Sequence, residues 1–148
     1  MIVPVWLDGA GLEILDREEC LRLLADAGTG RIALTVRALP AILPVRFVLD
    51  DERIVIRTRS DSTLASATRS AVVAFEADGR DRGGDRDDGP GAEWSVVATG
   101  LARHVTDEAE LARLQSLPLP QWADGHGCLV SISTERLGGR RTRVGQRH

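Results

Sequence analysis

"RIVIRTRSDSTLASA", residues 53–67, decides how this chain is read. Ile54, Val55 and Ile56 form a short apolar run of the kind that builds a strand. Arg57 and Thr58 close it, Ser60 to Thr63 follow, and the chain turns alanine-rich, with Ser60 or Asp61 placed to cap a short helix over 62–70. A strand handing over to a helix presents unpaired N–H groups at the positive end of the helix dipole. Ser60, Ser62 and Thr63 add hydroxyls, and Arg57 adds a planar guanidinium that grips phosphate with two parallel hydrogen bonds. These residue types suit a phosphate ester, but they suit plain helix capping and a solvated arginine equally well.

Upstream, "LDREECLRLLADAGTGR" is the clearest helix. Asp16 caps it, Glu19 completes a capping box, Leu15 and Leu21 are spaced as a hydrophobic staple, and Gly28 and Gly30 stop it. Extended runs follow at 31–36, 38–50 and 53–58, closely spaced enough to predict an antiparallel meander. "AVVAFEA", 71–77, is apolar without interruption and predicts a strand buried on both faces. Residues 78–93 are glycine-rich and mixed in charge, so a polar loop is expected there, either a surface insertion or a lid. "WSVVATGLARHVT", 94–106, resumes as a long strand whose Gly100 predicts a bulge or a close backbone approach. Asp107 and Glu110 cap a third helix, and 128–141 is the last strand. Six strands and three short helices predict one mainly β domain built as a small antiparallel barrel. Residues 1–12 read as an N-terminal extension and 142–148 as a polar tail.

The 148 residues suit one domain, with a formal charge of −3. That charge argues against binding nucleic acid through bulk electrostatics. No apolar run reaches membrane-spanning length, and the start lacks a basic segment before its apolar residues, so a cytoplasmic protein is expected. Cys20 and Cys128 stand outside any CxxC pattern and read as reduced thiols. His104, His126 and His148 show no metal-ligand spacing, so no metal is expected. All 19 basic residues are arginine, so arginine supplies every fixed cation on a side chain. There is no Ser-His-Asp order, no Walker loop and no GxGxxG after a strand. His126, in a glycine loop, is the one candidate proton donor.

Taken in order, "LDREECLRLLADAGTGRIAL", "LPVRFVLDDERIVIRT", "STLASA", "VAFEAD", "WSVVATGLARHVTD", "ELARL" and "RLGGRR" resemble the pyridoxamine 5′-phosphate oxidase-like, FMN-binding split-barrel family, in its small bacterial branch. The likeness spans about residues 13 to 141. It implies a six-stranded antiparallel split β-barrel that pairs as a homodimer and binds FMN between the subunits. The strand at Pro44, Val45, Arg46 and Phe47 is implied to run beside the isoalloxazine ring. Arg57, Thr58, Ser62 and Thr63 are implied at the phosphate, Trp94 near the cofactor, and Trp122 near the flavin of the other subunit.

The implied activity is an FMN-dependent oxidoreductase moving hydride to or from a small organic substrate. The alternatives are a non-catalytic flavin or deazaflavin carrier, or a split-barrel dimer without cofactor; haem is a further family possibility. One departure matters: relatives carry a lysine where Thr63 stands, and Asp61 adds negative charge beside it. Losing a charge-assisted contact costs about 1.5–3 kcal/mol, so Arg57 or Arg59 has to compensate. Arg46 replaces a neutral residue common in relatives. Pyridoxamine phosphate oxidation itself is not expected, because that activity needs lysine and tyrosine contacts and the chain has neither residue.

Overall fold

Phe47 is the residue at which the sheet changes partners. Before it, β3 (Thr29–Val36) and β4 (Leu39–Arg46) pair antiparallel through the turn at Arg37 and Ala38, both at positive φ. After it, β5 (Val48–Asp50) pairs with β6 (Arg53–Arg59), and that ladder ends at Val48 opposite Val55. The expected three-strand meander is therefore corrected. β4 lies at the end of one sheet path, where Pro40 and Pro44 remove no ladder bond that a central strand needs. The computed structural model describes residues 6–81, 91–119 and 127–142.

The other elements are β1 (Trp6–Leu7), β2 (Glu13–Leu15), α1 (Arg17–Ala27), α2 (Thr63–Ala67), β7 (Ala71–Asp81), β8 (Ala92–His104), α3 (Glu108–Leu114), β9 (Gly127–Ile132) and β10 (Arg136–Arg141). One path runs β1-β2-β10-β8-β7-β3-β4, and β5-β6-β9 returns to β8. The sheet thus curls almost to closure and stays open between β4 and β6. This is the mainly β, antiparallel split barrel with three short helices. The described strands number ten rather than six for local reasons. The 38–50 run divides at Phe47, the 128–141 run divides at Ser133, β1 forms within the supposed extension and β2 just after it. At the second break Ser133 donates its N–H to the Leu101 carbonyl, and a Cβ on Gly100 would lie 2.9 Å from the Ser133 oxygen. The close approach expected at Gly100 is there.

α1 forms as its sequence dictates: Asp16 accepts from the Glu19 N–H at 2.8 Å, and Gly28 ends the helix in the left-handed region. Its buried face is Cys20, Leu23 and Leu24. β7 is not buried on both faces. Val73, Phe75 and Ala77 enter the core, whereas Val72 is 72% exposed. The loop is shorter than expected, since β7 runs to Asp81 and β8 starts at Ala92. Arg22 and Arg141 each hold the Asp81 carboxylate at 3.1 Å, which extends the hairpin into polar sequence. Thr142 joins it by donating its N–H to the Glu93 carbonyl.

Phe47 and Phe75 meet edge to face in the core, ring centres 4.7 Å apart, with Ile32, Ile54, Ile56, Val96 and Val130 around them. A second cluster of Val55, Leu114, Leu119 and Leu129 forms beneath α3. β6 therefore buries both faces, Ile54 and Ile56 in the main core and Val55 under α3. Among the described residues no helix is long and apolar enough to cross a membrane.

Candidate functional site

The two faces of β6 separate the residues of the opening stretch. Thr58, on the core side, lies with its hydroxyl 2.9 Å from that of Ser62. Ser62 itself, rather than Ser60 or Asp61, caps α2 and accepts from the Ala65 N–H at 3.0 Å. Thr63 opens the helix and is exposed. Arg57 leaves the opposite face toward α3, donating to the Leu119 carbonyl at 3.3 Å and the Leu114 carbonyl at 3.5 Å. Arg59 pairs with Asp61 at 3.1 Å, so part of its charge is already balanced.

Beyond Val55 the same stretch of β6 faces the gap left by β4, which pairs with β3 instead. Arg46 and Pro44 are exposed on the β4 lip of that gap and Val45 is half-buried. With Thr29, Gly30 and Arg31 they line an open hollow of about 320 Å³. Phe47 contributes backbone only: its ring is in the core, and its N–H donates to the Gly28 carbonyl at 3.0 Å. Gly30 is required here because a Cβ would stand 2.4 Å from the Phe75 ring. Of the residues expected at the phosphate, Thr58 and Ser62 come together, whereas Arg57 leaves by the opposite face of β6 and Arg46 lines the hollow on β3 and β4. No described group of three or more His, Cys, Asp or Glu side chains could hold a metal.

Trp94 does not join Thr58 and Ser62 within one subunit. It is 7% exposed and packs in the main core, opposite Gly79 on β7. It stands near the start of β8, ten residues from His104 at the other end, about 33 Å of strand at ~3.3 Å per residue. Trp122 and His126 lie outside the described residues.

One polar cluster beside the gap was missed from sequence. His104 ends β8 with Nε2 2.8 Å from the Ala65 carbonyl and 3.3 Å from the Thr68 hydroxyl, while its Nδ1 lies 3.4 Å from Cys128 Sγ. Cys128 is the cross-strand partner of Thr58. The available signal was parity: His104 shares the inward register of Ala98 and Ala102, where a polar side chain needs partners.

Two other features surround the fold. A hollow of about 730 Å³ on the outer face has Arg17, Arg53, Arg103 and Arg136 among its lining residues. On the α1 side, Arg141 bridges Glu13, Glu19 and Asp81, and Arg22 shares the last two. The guanidinium groups, Arg22 first, hold the Glu19 carboxyl at about 2 against the opposing effect of burial. Arg113 likewise holds Asp50 below its ordinary range.

Comparison with known proteins agrees with this geometry. The family model described as pyridoxamine 5′-phosphate oxidase matches residues 16–141. The chain is 41% identical over 130 residues to the uncharacterized protein Rv0080 of Mycobacterium tuberculosis, covering 84% of this chain and 82% of that one. Its fold matches the solved structure of an FAD binding protein from Mycobacterium smegmatis, with a TM-score of 0.72 and 35% identity over 88% of this chain and 99% of the other. An FAD-binding protein from Mesorhizobium loti shares the fold alone, with a TM-score of 0.67 and 17% identity over 89% of this chain and 99% of the other. With the match to that model over most of its length, and the split between β4 and β6 in place, the chain belongs to the pyridoxamine 5′-phosphate oxidase-like split-barrel family.

Proposed function

We propose that this chain binds a flavin nucleotide, FMN, in the gap between β4 and β6, and acts in a homodimer as an oxidoreductase on a small organic substrate. The observation that carries the reading is the 35% identity over nearly the whole length of a protein described as FAD binding. The phosphate sits with the hydroxyls of Thr58 and Ser62. Arg46 reaches it from the β4 lip, and Arg57, which donates to the Leu114 and Leu119 carbonyls, would turn from the α3 face of β6 to take the place of the family lysine that Thr63 replaces. The strand Pro44–Phe47 lines the ring. When bound, the flavin supplies the hydride chemistry, and the residues described here bind it and orient it.

A two-fold partner also accounts for the outer face, where Leu39, Ile42, Val72 and Val97 are exposed. FAD in place of FMN is the second reading, favoured by the Mycobacterium smegmatis relative. A carrier without catalysis is the third. Absorbance and thermal shift of the purified protein with FMN, FAD and deazaflavin test the binding claim. Oxidation of a reduced nicotinamide with a nitro- or quinone-type acceptor, present only with bound flavin, separates enzyme from carrier.

A further inference from the structure

The Ala65 carbonyl can only accept, so His104 presents Nε2–H to it and leaves Nδ1 as the acceptor for the Cys128 thiol at 3.4 Å. A nucleophile, a base in contact with it and a third group orienting the base are the parts of an activated thiol. Antiparallel register puts Cys128 opposite Thr58 with both side chains on one sheet face. Thr58 in turn touches Ser62. We propose that Cys128 and His104 form a nucleophile–base pair that exchanges with disulfides of low-molecular-weight thiols, and that the resulting adduct closes the hydroxyl cradle of Thr58 and Ser62. The first half stands on the pair alone; the second rests on the proposed flavin site.

Burial pushes the Cys128 thiol up, and the Arg69 guanidinium partly opposes it. The resting group is therefore a thiol that needs a base. In the exchange the Cys128 sulfur attacks one sulfur of the reagent. The reagent S–S bond breaks and a Cys128 mixed disulfide forms. Cys128 is oxidised, the departing sulfur is reduced, and the thiol proton passes through His104 Nδ1 to the departing thiolate. Cys20 is the internal control. It is fully buried, its thiol is raised chiefly by burial, and it lies 4.0 Å from the Leu15 carbonyl with no described histidine hydrogen-bonded to it.

The test is reaction of the cofactor-free full chain with 5,5′-dithiobis(2-nitrobenzoate) at neutral pH. One thiol reacts in the native protein and is lost in Cys128→Ser, while Cys20 reacts only after denaturation. His104→Gln, with its circular dichroism unchanged, slows the first reaction about a hundredfold. The mixed disulfide does not bind FMN, and dithiothreitol restores binding. A Cys128 no faster than Cys20, a folded His104→Gln as fast as the parent, or an adduct that binds FMN as tightly as the free thiol overturns the proposal. If His104→Gln does not fold, the parent's two rates and the adduct's FMN affinity decide it. If the unmodified protein binds no flavin, the flavin reading fails, and the labelling rates still decide on the pair.

Discussion

Thr58 and Ser62 hold their hydroxyls 2.9 Å apart across the turn from β6 to α2, while the neighbouring Arg57 points to the other face of the same strand. A strand alternates its side chains, so adjacent residues in sequence cannot share one face. Of the residues expected at the phosphate, the hydroxyl pair and Arg57 therefore leave β6 by opposite faces.

Ser62 caps α2 and touches the Thr58 hydroxyl. As the cap of α2 it satisfies the Ala65 N–H, so Ser62→Ala lowers stability by about 1 kcal/mol, read as a lower urea midpoint at unchanged slope. The same variant weakens FMN more than riboflavin, which carries no phosphate. Equal losses for both ligands would leave Ser62 as a cap only.

Phe47 holds the point where the sheet changes partners. It is 2% exposed and stacked edge-on with Phe75, so Phe47→Ala costs about 3–5 kcal/mol. A loss below about 1 kcal/mol in chemical denaturation would contradict the packing described.

Gly30 admits no side chain. A Cβ there would lie 2.4 Å from the Phe75 ring and 2.7 Å from the Glu76 carbonyl oxygen, part of it backbone that cannot give way. Gly30→Ala destabilises by about 1–3 kcal/mol and displaces the hollow beside Arg46, measurable as a lower melting temperature and weaker flavin binding.

The Glu19 carboxyl gives a pH signature. Its folded value of about 2 lies below its ordinary 4.5, so its contribution to stability is complete above 4.5 and is lost as pH falls toward 2. Arg22→Ala or Arg141→Ala flattens that part of the stability–pH curve, because either change removes a guanidinium that lowers the carboxyl. Unfolding midpoints that fall equally steeply in the parent and both variants between these pH values would refute the assignment.

Local chemistry was legible and partner choice was not. α1 was readable because Asp16, Glu19 and Gly28 act within a single segment. The break at Phe47 was hidden because 38–50 is extended on both sides of it. What changes there is the neighbouring strand, β3 before and β6 after, and that choice depends on residues far away in the chain. β7 misled because Val72 and Ala74 are apolar on the outer face as well, which a run of apolar residues cannot distinguish from double burial. The start of α2 was readable to within two residues because the strand-to-helix handover is local, with Ser62 rather than Ser60 or Asp61 as its cap. The cluster of Thr68, His104 and Cys128 was missed because three separate elements bring it together.

Isothermal titration of the purified, cofactor-free protein with FMN and with riboflavin, on the parent and on Arg57→Ala, tests the account most directly. The account predicts saturable FMN binding at one flavin per subunit, with Arg57→Ala weakening FMN far more than riboflavin. No heat or absorbance change with FMN or FAD at any concentration reached, in protein shown to be folded, would contradict it.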